Sequence, residues 1–508
     1  MDLAASNYNA SANYNVSCTY STTTAGTTTA TTTATATPAP LNSYPVASEL
    51  IDPACGGKAY NIVFAAADWS WTYTASFVYY AFTGGNTLDL TNDTCNNTIY
   101  GSTAADTITG GSGADTIYGF AGNDTLAGGA GNDTLSGGSG SDTLDGGAGI
   151  DTISFADQAS SVNFDLNNAS NIGLYGTKVI LASSIEDIMG GSGNDTLIGD
   201  GNANDISGGA GNDTLQGGAG NDTLKGGAGN DTLQGGAGND TLDGGTDSDT
   251  ISYADQTASV TVDLATYQAT GAAGSDTLSA IENITGGDGA DTLTGDGNAN
   301  TIVGGAGNDT LVGGAGNDTL DGGLGTDTVS YASEANAVLV NLATGAASGA
   351  AGTDSISNIE NITGGGGNDT LVGDGNANTI VGGAGNDTLT GGAGNDTLDG
   401  GLGTDTVSYA SEANAVLVDL ATGAASGAAG TDSISNIENI TGGSGNDTLT
   451  GDGNANTIVG GAGNDTLTGG AGVDVFIGGT YINLVMGDDS VQDTVTDQGT
   501  GGEENISP

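Results

Sequence analysis

The chain has 508 residues, 95 of them glycine, with 61 acidic side chains against three basic ones and a net charge of −58. Arginine and histidine are absent. Nothing is present to neutralise nucleic-acid phosphates, an anionic membrane surface repels the chain, and no Ser–His pair, Cys–His pair or imidazole metal site can form.

Residues 1–40 are polar and end in the Thr/Ala-rich run STTTAGTTTATTTATATPAP. That composition cannot bury a core and reads as a flexible segment, or as an O-glycosylated stalk. The start, MDLAASNYNA, has neither a cationic end nor an apolar stretch, so an N-terminal secretory signal is not expected. Residues 41–98 change character. NIVFAAADWSWTYTASFVYYAF (61–82) is aromatic and β-branched with partial alternation, and predicts two strands of a small β-rich domain containing Trp69 and Trp71. Cys18, Cys55 and Cys95 all lie in this first part; three thiols allow one disulfide, for which Cys55–Cys95 is the expected pair. No run of 18 apolar residues occurs, so no membrane span is expected.

Residues 99–479 are repeats of G-G-A-G-N-D-T-L-x. Aspartates recur nine apart at Asp106, Asp115, Asp124, Asp133, Asp142 and Asp151. The phase returns at Asp195, Asp213, Asp222, Asp231, Asp240 and Asp249. It is met again at Asp291, Asp309, Asp318, Asp327, Asp369, Asp387, Asp396, Asp405, Asp447, Asp465 and Asp474. Four longer, more apolar inserts interrupt the runs; DTVSYASEANAVLVDLATGAASGAAGTDSISNIENITGG (405–443) is one. The six glycine-rich residues form a turn and Thr-Leu-x a minimal strand whose middle residue points inward. Two such units make one coil, and stacked coils make two parallel sheets around a narrow aliphatic core. The inserts read as further coils with fuller apolar faces, as at Val416, Leu417, Val418 and Leu420.

Stacked turns bring the Asp carboxylates into columns, where unneutralised charge repels. A hard divalent cation relieves that repulsion, and Ca²⁺ suits carboxylate and carbonyl oxygens better than Mg²⁺, which holds its water. The motif resembles the GGxGxDxUx nonapeptide of the RTX, or hemolysin-type calcium-binding, family, whose repeats bind Ca²⁺. The resemblance implies an all-β fold: a calcium-loaded parallel β-roll with many bound Ca²⁺ ions and the phased aspartates as metal ligands. It also implies type I export directed by a C-terminal signal, for which the cap and acidic tail at 480–508 is the candidate.

Two departures qualify the pattern. Asn204, Asn300, Asn378 and Asn456 replace the phased Asp within GDGNAN and should bind the cation weakly. Glu186, Glu282, Glu360 and Glu438 stand nine residues before the Asp that follows each insert, as metal ligands or as solvated carboxylates. The NDT sequons are explained by the repeat and not by glycosylation.

With almost the whole chain given to the roll, the expected role is non-enzymatic. It is that of a secreted, calcium-binding structural protein of the cell surface, of surface-layer or surface-fibril type, whose partners are calcium ions and further copies of itself or a cell-surface glycan. The alternative is an adhesin using residues 60–82; a secreted enzyme or toxin lacks the room for a catalytic domain. Phe476, Ile477, Ile482, Leu484 and Val485 are the expected cap of the roll.

Overall fold

In the computed structural model the described residues are 87–168, 181–271, 273–427 and 430–478, with short strands at 61–63, 79–81, 481–485, 494–497 and 505–507. Every regular element among them is a β-strand. The Thr/Ala-rich segment, Trp69, Trp71 and Cys55 lie outside the described residues. Cys95 is disulfide-bonded, to a partner also outside them.

The nine-residue period sets the architecture. Thr214–Ala219 pairs in parallel with Thr232–Ala237, residue i opposite i+18. The intervening strand Thr223–Ala228 pairs instead with Asp205–Ala210 and Thr241–Thr246. Consecutive nonapeptides therefore fall on opposite sheets and two complete a turn of a parallel β-solenoid, of about 21 turns. One side chain per nonapeptide faces inward. Leu215, Leu224, Leu233 and Leu242 are fully buried, and one apolar cluster runs from Leu88 to Phe476. Each such side chain contributes about 1.5–3 kcal/mol on burial.

Turns stack as tightly as strands. Gly227 and Gly229 hold φ of 116° and 121°. A Cβ on either would overlap the carbonyl oxygen of Gly209 or Gly211 in the coil before, so no other residue fits. On the outside of the turns, asparagines form a ladder: the Asn212 amide donates to Asn194 Oδ1 at 3.0 Å and that of Asn230 to Asn212 Oδ1 at 3.1 Å.

The last three inserts differ from the expected extra coils. Val416–Asp419, Ala424–Gly427 and Gly430–Ser435 form an antiparallel meander spliced into one parallel sheet between Thr397–Gly403 and Thr448–Thr450. The other sheet passes the insert directly, Val407 opposite Ile440. Val416 and Val418 are buried, but Leu417 is 50% exposed because it takes the outward side of the same strand. The meander at 260–279 lies in the same sheet as this one, and the meander at 338–357 in the opposite sheet.

Parallel pairing continues towards both termini. Tyr79–Ala81 pairs with Asn61–Val63 and with Thr98–Tyr100. Beyond the buried Phe476, Tyr481–Val485 pairs with Asn464–Thr468 and Thr494–Asp497 with Val475–Gly478.

Leu224→Ala removes one of the few inward side chains of its coil. It should destabilise the calcium-saturated protein by about 2–5 kcal/mol, measured by denaturant unfolding. Hydrogen exchange should rise in adjacent coils and not beyond about residue 280, since a solenoid couples chiefly to its neighbours.

Candidate metal centre

The phased Asp sits where the turn enters the strand. Asp222 Oδ1 accepts the amide of Asn204 at 2.8 Å, and the Asp222 amide donates to Asp240 Oδ1 at 2.8 Å. The same bond, spanning 18 residues, links Asp106 to Asp124, Asp115 to Asp133, Asp124 to Asp142, Asp133 to Asp151, Asp195 to Asp213, Asp213 to Asp231 and Asp231 to Asp249. It recurs from Asp291 to Asp327, from Asp369 to Asp405, from Asn300 to Asp318, from Asn378 to Asp396, from Asp447 to Asp465 and from Asn456 to Asp474. One carboxylate oxygen thus stitches each coil to the one before.

The second oxygen is the unusual one. Oδ2 of Asp115, Asp124, Asp133, Asp151, Asp213, Asp222, Asp231, Asp240, Asp249, Asp309, Asp318, Asp327, Asp387, Asp396, Asp405 and Asp465 is buried without a hydrogen-bond partner. These side chains are at most 2% exposed. A buried charged oxygen left unsatisfied is costly, and it points into a shaped gap. A Cβ on Gly217 would overlap Asp222 Oδ2 and stand 2.5 Å from the carbonyl oxygen of Gly235 in the next coil; Gly226 has the same relation to Asp231 and Gly244. The first glycine of these repeats keeps open a cradle lined by one carboxylate and by a turn carbonyl of the next coil. Among the described residues no three carboxylate, thiol or imidazole groups converge, so a cation here would draw on backbone oxygens, as Ca²⁺ readily does. The residues fit that ion.

A family model for the RTX calcium-binding nonapeptide repeat, spanning four copies, matches residues 96–119, 118–153, 183–215, 216–251, 270–311, 294–329, 348–389, 372–407, 434–467 and 450–480, more than half of the chain. The chain belongs to this family. No curated protein matches it. No helix among the described residues is long and apolar enough to cross a membrane.

The RTX turns of this chain are not all alike. Asp195 Oδ1 accepts the Val162 amide at 2.8 Å and Oδ2 the Gly191 amide at 2.8 Å. Asp291, Asp369 and Asp447 repeat this with Val260 and Gly287, Val338 and Gly365, and Val416 and Gly443. Asp106 Oδ2 accepts the Ser102 amide and hydroxyl at 2.6 and 2.9 Å. Asp142 and Asp474 are as buried as the others.

In the Asn turns the amide satisfies itself. Asn300 Oδ1 accepts the Asp296 amide at 2.9 Å, and Nδ2 donates to the Glu282 carbonyl at 2.7 Å; Asn204, Asn378 and Asn456 do the same with Glu186, Glu360 and Glu438. The glutamates serve as stitches. Oε2 of Glu186, Glu282, Glu360 and Glu438 accepts the amides of Asp151, Asp249, Asp327 and Asp405 at 2.8–2.9 Å, reaching across the insert as a phased Asp reaches across a coil.

Two further groups share the nine-residue phase without belonging to the Asp runs named from the sequence. Asn97, nine residues before Asp106, donates its amide to Asp115 Oδ1 at 2.6 Å. Asp276, Asp354 and Asp432, inside the inserts, accept the amides of Asp240, Asp318 and Asp396 at 3.0–3.1 Å. Their second oxygens accept the hydroxyls of Tyr253, Tyr331 and Tyr409 at 2.8 Å. Their signal in the sequence is a Tyr–Asp spacing of 23 residues in each.

Burial pushes the carboxyls up, backbone donors pull them back, and neighbouring carboxylates push further. Asp213, Asp222, Asp231 and Asp249 reach about 6, and Asp115 about 7. A folded-state value above the unfolded one gives stability that is present at acid pH and lost as pH rises through the folded value. In excess chelator, the β signal in circular dichroism should therefore be greater at pH 5 than at pH 7.5. A metal-free chain less folded at pH 5 would contradict the burial of these carboxyls.

Proposed function

We propose that this protein is an extracellular structural element of the cell surface, of surface-layer or surface-fibril type, that folds and assembles when calcium fills its open turns. The observation that carries the reading is the array of buried Asp Oδ2 atoms lacking partners, in a chain of net charge −58. Such a roll opposes its own folding until cations occupy the turns, and extracellular calcium modules work at about 10⁻⁴–10⁻³ M, concentrations found outside cells. The ligands we assign are the aspartates whose Oδ2 lacks a donor, with the turn carbonyls beside them. Asp195, Asp291, Asp369 and Asp447 are assigned to stitching alone, since the chain's own donors occupy both their oxygens, and Asp106 is left out because Ser102 occupies its Oδ2. Calcium then neutralises the interior of the roll and bridges the acidic outer faces of neighbouring molecules. Secretion fits this calcium demand.

One observation favours adhesion as a second reading. Tyr100, Tyr118 and Phe120 stack on the outside of the roll with ring centroids 5.1–6.3 Å apart. Phe120 is 47% exposed and holds φ of 71° in a position that is glycine before every other phased Asp except Asp106. A bulky residue kept there at a cost in strain is consistent with a contact surface.

Electron microscopy and sedimentation of the full chain, with and without 5 mM calcium, test the primary reading. Ordered assemblies are expected only with calcium. Folded monomers throughout, coupled with binding to a cell-surface glycan, would replace it by the adhesin. Replacing Asp222 and Asp240 together by Ala should lower calcium stoichiometry and local stability while distant coils keep their exchange protection. The same substitution at Asp195 should leave the stoichiometry unchanged.

A further inference from the structure

We propose that the last three inserts each contain a metal-free version of the calcium site, in which a buried tyrosine hydroxyl takes the cation's place on the carboxylate, so that these points of the roll hold when calcium is withdrawn. The proposal rests on the calcium reading of the open turns.

The carboxylates can be followed coil by coil. In one column the Asn300 amide donates to Asp318, and the Asp318 amide donates to Asp354. Asp318 Oδ2 has no donor. Asp354 resembles Asp318 in its stitching oxygen, yet its Oδ2 receives the Tyr331 hydroxyl at 2.8 Å. Tyr331 is 6% exposed and belongs to the continuous core. The same ending closes the columns that run through Asp240 to Asp276 and through Asp396 to Asp432.

The cradle changes with the donor. Five residues before Asp318, a Cβ on Gly313 would overlap the Asp318 carboxylate. Five before Asp354, a Cβ on Gly349 would meet a Val338 methyl at 3.0 Å, and Asp354 is not among its nearest neighbours. Gly271 and Gly427 meet Val260 and Val416 in the same way. The position that faces a carboxylate in an open turn faces a valine here, so the tyrosine site lacks the free oxygen that lines an open turn. The first insert is a natural control. Phe155 occupies the tyrosine's place, its amide donating to Met189 as that of Tyr331 does to Thr363, and a phenyl ring has no hydroxyl to donate.

A hydrogen bond to a charged group is worth about 1.5–3 kcal/mol, so each clamp should shift the local calcium requirement by at least about tenfold. The experiment is hydrogen exchange of the full chain, read peptide by peptide while buffered free calcium is lowered. Peptides spanning 250–285, 328–363 and 406–441 should keep protection to calcium about tenfold lower than peptides spanning 107–151 and 213–246. In Tyr331→Phe that margin should vanish at 328–363 and persist at the other two inserts, which also report that the variant has folded. Loss of protection at the same calcium concentration everywhere in the wild type overturns the proposal. So does a Tyr331→Phe protein that keeps the margin at 328–363. If the nonapeptide runs keep full protection in excess chelator, the calcium reading itself fails.

Discussion

Most of the Asp turns among the described residues bury a carboxylate with two oxygens, and the backbone of the roll supplies a donor for only one of them. That imbalance follows from the repeat. The Asp amide is committed to the next coil's Oδ1, and the following Thr amide to the preceding coil's Asp carbonyl, as from Thr232 to Asp213. In the open turns no amide is left over for Oδ2. The core cannot compensate, since one aliphatic side chain per nine residues faces inward and the glycine-rich turns lose much conformational entropy on folding. Surface charge pairing offers little: the Lys225–Asp205 contact at 3.1 Å is half exposed on both sides, where such pairs contribute little.

The chain meets this shortage in several ways. Most turns leave Oδ2 open beside a glycine cradle. The Asp after an insert borrows a glycine amide four residues earlier. The Asn turns remove the charge and turn the spare group into a donor. The insert Asp takes a tyrosine hydroxyl. Open turns therefore occur in short stretches bounded by turns that satisfy themselves, such as Asp309 and Asp327 between Asp291 and Asn378.

Much of this was legible in the sequence because the period leaves little freedom. A nine-residue repeat with one reliable aliphatic residue dictates two strands per coil and an i to i+18 register, and the columns of Leu, Thr and Asp follow. Less legible were distinctions set by the neighbouring coil. GNDTL around Asp195 is the same string as GNDTL around Asp213, yet only the second leaves an oxygen without a donor, because only the first has its glycine amide turned towards it. The glutamates keep the turn position that the period gives them, but they accept an amide 33–35 residues earlier, a reach that depends on how the insert folds back. The antiparallel meanders are not legible in the pattern. Their strands carry the same alternation as a coil strand, and direction is not encoded in alternation.

The spacing of self-satisfied turns also bears on how binding spreads. In a solenoid each coil is stabilised by its two neighbours, so an ion that orders one turn favours binding in the next. Such propagation needs consecutive open turns. Between residues 204 and 250 both columns are open over successive coils, through Asp213, Asp231 and Asp249 on one side and Asp222 and Asp240 on the other. Beyond residue 290 each column has at most two open turns before an Asn turn or an insert intervenes. Folding in the first region should accordingly be steep in calcium, and in the second a series of shallow local steps. The same nonapeptide thus yields different cooperativity along one chain, set by where the sequence supplies its own donor.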